Sequence, residues 1–122
     1  MRVLVVRGNP RKNGVCAKLA DLFVSGLKTG GAEVSDFDAS GVSPCLGCFA
    51  CKRGGSCVRR DVMDSVLPAL LSADALVCVS PVYFYSMSAQ LKAFFDRCFP
   101  LVNGYSYDTQ SGRFGTHTAF DV

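Results

Sequence analysis

The sequence predicts an α/β fold: an open parallel sheet with helices on both faces. Three observations carry that expectation. Val3-Leu4-Val5-Val6 and Ala75-Leu76-Val77-Cys78-Val79 are apolar runs without alternation, the pattern of strands covered on both sides. Each is followed by a turn-rich stretch and then by an amphipathic one, so strands alternate with helices. At 122 residues, 49% of them apolar, the chain suits one domain (1–122) with a single core.

Composition removes several function classes. A net charge of +3 does not argue for nucleic acid, and no apolar run approaches the ~20 residues needed to cross a bilayer. After Met1-Arg2 the chain enters its first apolar run directly, without the features of a signal peptide. Seven cysteines in such a chain point to a reducing, cytoplasmic compartment. There is no internal repeat, low-complexity tract or interdomain linker.

Taken in order, the first strand spans Arg2 to Arg7 and stops at Gly8-Asn9-Pro10-Arg11-Lys12-Asn13-Gly14. A helix follows, with Val15, Leu19, Leu22, Phe23 and Leu27 at helical spacing as its apolar face, and Thr29-Gly30-Gly31 ends it. The turn therefore lies at the carboxyl end of a buried strand and the amino end of a helix. Free backbone N–H groups and the helix dipole make such a place attractive to phosphate, and Arg11 adds a forked cation. The turn fits neither a Walker loop nor the G-x-G-x-x-G fingerprint; the plain alternative is a strand-to-helix connection whose charges face water. Ala32 to Phe37 reads as a second, edge strand.

Next comes Cys45-Leu46-Gly47-Cys48-Phe49-Ala50-Cys51-Lys52-Arg53-Gly54-Gly55-Ser56-Cys57, with spacing C-x2-C-x2-C-x5-C. Thiolates are soft ligands for iron–sulfur clusters and zinc. Zinc sites usually present two close pairs with a longer interval between them, whereas bacterial ferredoxins hold a 4Fe–4S cluster on a comparably tight run. Gly47, Gly54 and Gly55 permit the sharp turns that convergence requires. Zinc, a disulfide or an unmetallated loop remain alternatives to the cluster, and Lys52, Arg53, Arg59 and Arg60 read as a solvated run.

Asp61 reads as an N-cap with Asp64 in capping-box position, opening a helix whose apolar face is Met63, Val66, Leu67 and Leu70 and which Pro68 should kink or break. Ala75–Val79 is read as a central strand with Cys78 in the core. It leads into Ser80-Pro81-Val82-Tyr83-Phe84-Tyr85-Ser86-Met87. Three aromatics and a proline beyond a strand's carboxyl end can stack on a flat ring, in the crevice where open α/β sheets bind ligands; a seal over the sheet end or a subunit contact is the alternative. Ser88 to Phe99 is amphipathic, with Leu91, Phe94, Phe95, Cys98 and Phe99 on one side and Lys92 and Asp96 on the other.

With these residues in place, the chain resembles the iron–sulfur flavoprotein branch of the NADPH-dependent FMN reductase family. Gly8 to Gly14 is similar to that family's G-S-P-R-x-x-G-N-T turn. Pro44 to Cys57 with Asp61-Val62-Met63 is similar to its C-x-G-C-x-x-C-x5-C-x3-D-D-M segment, and Ser80-Pro81-Val82-Tyr83 with Ser88 to Arg97 to its S-P-V-Y and S-A-x-L-K-x-x-x-D-R stretch. The resemblance implies a flavodoxin-like sheet beginning in the order 2-1-3. It implies FMN, its phosphate on Asn9, Arg11, Asn13 and the amides of Gly14, Val15 and Cys16. The flavin ring would lie on the loop of Ser80, Pro81, Val82, Tyr83 and Phe84. It implies a 4Fe–4S cluster on Cys45, Cys48, Cys51 and Cys57, close to the flavin of a neighbouring subunit. The function implied is an FMN-dependent oxidoreductase or electron-transfer flavoprotein. Its partner would be a nicotinamide nucleotide (NAD(P)H) or a redox protein, and no residue is required as a general acid or base. The alternatives are an NAD(P)H:FMN reductase without a cluster and a zinc-stabilised, non-redox interaction module.

Two departures qualify this. The family's Asn-Thr pair is Val15-Cys16 here, which removes two side-chain hydrogen bonds to phosphate and predicts weaker FMN binding. Family chains also continue into further strands, so this chain reads as C-terminally shortened, with its third strand an open edge. The tail, 103–122, is read as irregular or as a hairpin. In the hairpin reading Tyr105, Tyr107 and Thr109 face a second arm of Phe114, Thr116, Thr118, Phe120 and Val122, across a turn at Gln110-Ser111-Gly112. His117 is read as solvated. An exposed aromatic loop and an unfinished sheet point to a homo-oligomer.

Overall fold

β1 (Arg2–Arg7) is the centre of a three-stranded parallel sheet, flanked by β2 (Glu33–Asp38) and β3 (Ala75–Val79) in the order β2-β1-β3. The computed structural model describes residues 1–108 and 113–118. Val3, Leu4, Val5 and Val6 of β1 are all buried, because alternate residues of a pleated strand point to opposite faces and both faces are covered. Val3 and Val5 pack with Val24 of α1 (Val15–Thr29). Leu4 and Val6 join Met63, Val66 and Leu70 of α3 (Met63–Ser72) and Leu91 and Phe94 of α4 (Ala89–Arg97). This is a flavodoxin-like arrangement. The short α2 (Ala50–Gly54) carries the middle of the cysteine run. Among the described residues no helix is long and apolar enough to cross a membrane.

Several expectations need correction. The buried residues of α1 are Ala17, Ala20 and Val24, while Val15, Leu19, Leu22 and Phe23, read as the core face, are all exposed. Small side chains let the helix lie close on the valines of β1, and the large ones turn outward. Pro68 does not break α3, which runs through it. Its missing N–H would have served the carbonyl of Asp64, in the first turn, where one lost bond is outweighed by the burial of Met63, Val66 and Leu70. β3 is an edge of this sheet rather than its centre, and Leu76 and Cys78 are exposed. Phe95 is also exposed on α4, whereas Arg97 is buried.

β4 (Val102–Asp108) and β5 (Arg113–Thr118) form a separate antiparallel pair, with Tyr105 opposite Thr116, Tyr107 opposite Phe114 and an irregularity between Val102 and Gly104. The turn at Gln110-Ser111-Gly112, Thr109, Phe120 and Val122 lie outside the described residues.

The carboxyl ends of β1 and β3 are joined through α4. The Gly8 N–H donates to the carbonyl of Val79 at 2.7 Å. Ser88, wholly buried, donates its hydroxyl to the carbonyl of Gly8 at 2.5 Å and accepts the Leu91 N–H at 3.3 Å, capping α4. The Ser88 N–H in turn donates to the Ser80 hydroxyl at 2.8 Å. A methyl group on Gly8 would stand 2.6 Å from Leu91 Cβ and 2.9 Å from Ser88 Oγ. Neither can retreat, since one is fixed to a helix backbone and the other is held by two bonds. Gly8→Ala is therefore expected to lower stability by about 1–3 kcal/mol through overpacking, read as a shift in the urea midpoint at constant slope. An unchanged midpoint would falsify this close approach.

Candidate functional site

The turn after β1 presents what an anion needs. Gly14 is the N-cap of α1, with no side chain capping the helix and no acidic residue in its first turn, so the leading amides, from Val15 onward, lack intrahelical acceptors. Asn9 is 5% exposed; its Nδ2 donates to the carbonyl of Arg11 at 3.2 Å, and its Oδ1 is buried without a partner. Arg11 is exposed and in no ion pair among the described residues. Lys12, its neighbour, is tied to Asp38 at the end of β2. Burial works against the Asp38 charge, yet Lys12 and the Ser40 amide outweigh it and hold the carboxyl below the usual range. That pairing anchors the turn and leaves Arg11 as its available cation.

The loop after β3 meets this turn. Asn9, Arg11, Gly14, Val15 and Cys16 line one open pocket of about 560 Å³ together with Pro10, Pro81 and Tyr83. Of the other residues expected there, Asn13 is exposed and not on its wall. Ser80 is occupied in the network with Ser88, and Val82 and Phe84 point to solvent. Tyr83 and Ser86 exchange backbone bonds at 2.8 and 3.0 Å around a tight turn, with Phe84 (φ 46°) and Tyr85 (φ 63°) both left-handed. Non-glycine residues rarely adopt that conformation, and the turn holds two almost fully exposed rings 5.9 Å apart.

The cysteine run forms a second site. Cys45, Cys48, Cys51 and Cys57 all line one pocket. Its other walls include Leu46, Phe49, Val58, Phe99 and Arg97. None of the seven cysteines is in a disulfide. Among the described residues no three metal-ligating side chains stand close enough to share an ion; the four thiols face one space without closing on a point. Left-handed Phe49 (φ 57°), Gly47 (φ 65°) and Gly55 (φ 75°) bend the loop around it. Lys52 is exposed, as expected, but donates to the carbonyls of Phe99 (2.6 Å) and Val102 and lies 4.3 Å over the Phe99 ring, whereas Arg59, expected in solvent, is half-buried with its Nε enclosed.

Both ends of the run are held by Asp61, expected only as a helix cap, and by Arg97, for which the sequence suggested no separate role. Arg97 is 2% exposed and donates to Asp61 Oδ2 at 2.7 Å, to the Ser43 carbonyl at 2.8 Å and to the Arg59 carbonyl at 3.5 Å. Asp61 also accepts the N–H groups of Ser43 (3.0 Å) and Met63 (2.9 Å), the first residue of α3, from one position before the N-cap, which is Val62 rather than Asp61 as expected. Asp64 is turned to Arg60 at 3.2 Å and makes no box with Asp61. Burial alone would raise the Asp61 pKa, but the Arg97 bond and the two amides dominate and bring it to about 2. Burial likewise works against the Arg97 cation, and Asp61 and then Cys57 overcome it, raising its pKa. The signal available in the sequence was position: Arg97 falls three residues after Phe94, on the apolar face of α4.

An open parallel sheet with an uncapped anion turn and an aromatic loop meeting at its carboxyl edge defines the flavodoxin-like α/β class. Residues 1–115 match the NADPH-dependent FMN reductases, and the chain belongs to that family. Its similarity lies with the iron–sulfur flavoproteins of the family. One from Archaeoglobus fulgidus is 36% identical over 102 residues, 82% of this chain and 46% of that protein. Another, from Methanocaldococcus jannaschii, is 33% identical over 114 residues, 92% of this chain and 59% of that one. The chain spans about half the length of the curated relatives it matches. Among solved structures, a Streptococcus mutans protein superposes with a TM-score of 0.71 at 26% identity, over 88% of this chain and 58% of that one. An azoreductase from Bacillus anthracis shares the fold, with a TM-score of 0.66 at 20% identity, over 96% of this chain and 62% of that one.

Because the Asp61 carboxyl is depressed to about 2, its contribution is whole above the unfolded value near ~3.9 and is lost as pH falls through about 2. Asp61→Asn is expected to cost about 3–5 kcal/mol at pH 7 by stranding a buried guanidinium. It should also flatten the acid dependence between about pH 4 and 2. Denaturant midpoints across that range check it; parallel curves for the two proteins would mean the pair contributes nothing.

Proposed function

We propose that this chain is an FMN-dependent oxidoreductase or electron-transfer flavoprotein that also carries a 4Fe–4S cluster. The observation that supports it above the others is the single pocket shared by the turn after β1 and the loop after β3. FMN fits that pocket on the chemistry of its walls. Arg11 and the amides of Val15 and Cys16 would receive the phosphate, the Gly14 N–H being turned to the Arg11 carbonyl at 3.2 Å, and Asn9 Oδ1, buried without a partner, would accept from a hydroxyl or N–H of the bound nucleotide. Pro81 and Tyr83 would bound the ring. When bound, FMN supplies hydride and single-electron transfer, and a cluster passes single electrons onward. The chain's own part is to bind and orient; no side chain in the pocket is required to move a proton.

The cluster reading rests on four thiols facing one largely apolar pocket and on buried guanidinium N–H groups there that lack an acceptor. One observation favours the reading without a cluster: the sulfurs do not close on a shared point. Reductants are nicotinamide nucleotides or a redox protein, and the working form is a homo-oligomer, which would bring the cysteine loop of one copy to the flavin of another.

Anaerobic purification followed by iron, sulfide, zinc and flavin analysis separates these readings. About four irons and four sulfides with FMN are expected after reconstitution, and Cys48→Ser should lose the iron while keeping the flavin. Flavin without stoichiometric iron selects the reductase alone; neither flavin nor iron overturns both. Val15→Asn with Cys16→Thr restores two donors at the phosphate and should tighten FMN binding roughly tenfold or more, read by fluorescence quenching of titrated FMN.

A further inference from the structure

Two guanidinium Nε groups, those of Arg59 and Arg97, are buried with no hydrogen-bond partner. Both residues line the pocket of the four cysteines. A buried cationic donor without an acceptor costs more than a neutral one, and two beside the same space form a site for electron-rich sulfur. Arg97 is doubly placed. Its terminal nitrogens are spent on Asp61, Ser43 and Arg59, which sit on either side of the run, so only Nε is left to donate.

We propose that Arg97 is a positioning residue for the group held by the four thiolates: through Asp61 it closes the two ends of the cysteine loop, and through Nε, with Arg59 Nε beside it, it donates to sulfur. This rests on the cluster reading above. Hydrogen bonds and positive charge at the sulfurs stabilise the more negative, reduced form of an iron–sulfur group, so both arginines raise its reduction potential. Asp61 has the opposite electrostatic sign. It offsets the charge of Arg97, and its removal leaves the guanidinium field uncompensated.

The test begins with iron analysis of the reconstituted wild-type chain; absence of iron overturns the cluster reading and this proposal with it. With iron present, redox titration followed by EPR is expected to give a more negative midpoint for Arg59→Gln and Arg97→Lys and a less negative one for Asp61→Asn. The side chain of Arg59 takes no part in the Asp61 clamp, so Arg59→Gln should load and fold like wild type and decides the matter if the other two do not. Wild-type protein grown on 15N-arginine should in addition show a guanidinium hyperfine coupling by ENDOR. Midpoints unchanged in the loaded variants, or no such coupling, would overturn the donation to sulfur while leaving the cluster in place. A purely structural Arg97 would change stability without moving either quantity.

Discussion

The architecture depends on one close approach, the backbone of Gly8 against the first turn of α4. A single buried hydroxyl, that of Ser88, closes this contact by bonding the last carbonyl of the β1 exit and the amide of Leu91 together. Because Ser88 also binds Ser80 through its own amide, the exits of β1 and β3 are locked to one helix end. Everything beyond those exits, the anion turn on one side and the aromatic loop on the other, takes its position from that lock. Its strength comes from burial: with no water to compete, each of these bonds has no alternative partner, and breaking one leaves the other group stranded.

A second, independent clamp serves the cysteine run. Asp61 and Arg97 join α3 to α4 beneath the loop, and their bonds reach Ser43 before the first cysteine and Arg59 after the last. The two sites therefore stand on the same helix by opposite ends: Ser88 caps its start and Arg97 ends it. α4 is the shared rigid part, and its buried Leu91 and Phe94 fix it against Leu4 and Val6 of the sheet.

The strands and the composition of both loops were legible because period and residue type speak directly: an unbroken valine-leucine run, a turn rich in glycine and asparagine, a tight series of thiols; the order of the sheet came from the family resemblance. What stayed hidden depended on which side of an element met the core. In α1 the larger apolar residues suggested the inner face, but the close spacing of helix and sheet admits only Ala17, Ala20 and Val24. In α4, Arg97 lies beside Phe94 on the buried side, where Asp61 supplies the counter-charge. Arg59 was expected in solvent with its charged neighbours, yet its Nε is enclosed beside the cysteines. Partners distant in sequence decide such cases, and a local pattern does not contain them.

The two alanines on the underside of α1 have a reach beyond their size. They set the height at which the helix rides over β1, and with it the level at which the Val15 and Cys16 amides stand relative to Asn9. A methyl-sized spacer in the first and second turns of the helix thus gauges the depth of the cleft between the two loops. Bulkier residues at those places would lift the helix mouth and leave every side chain of the cleft unaltered, yet too far apart to act together.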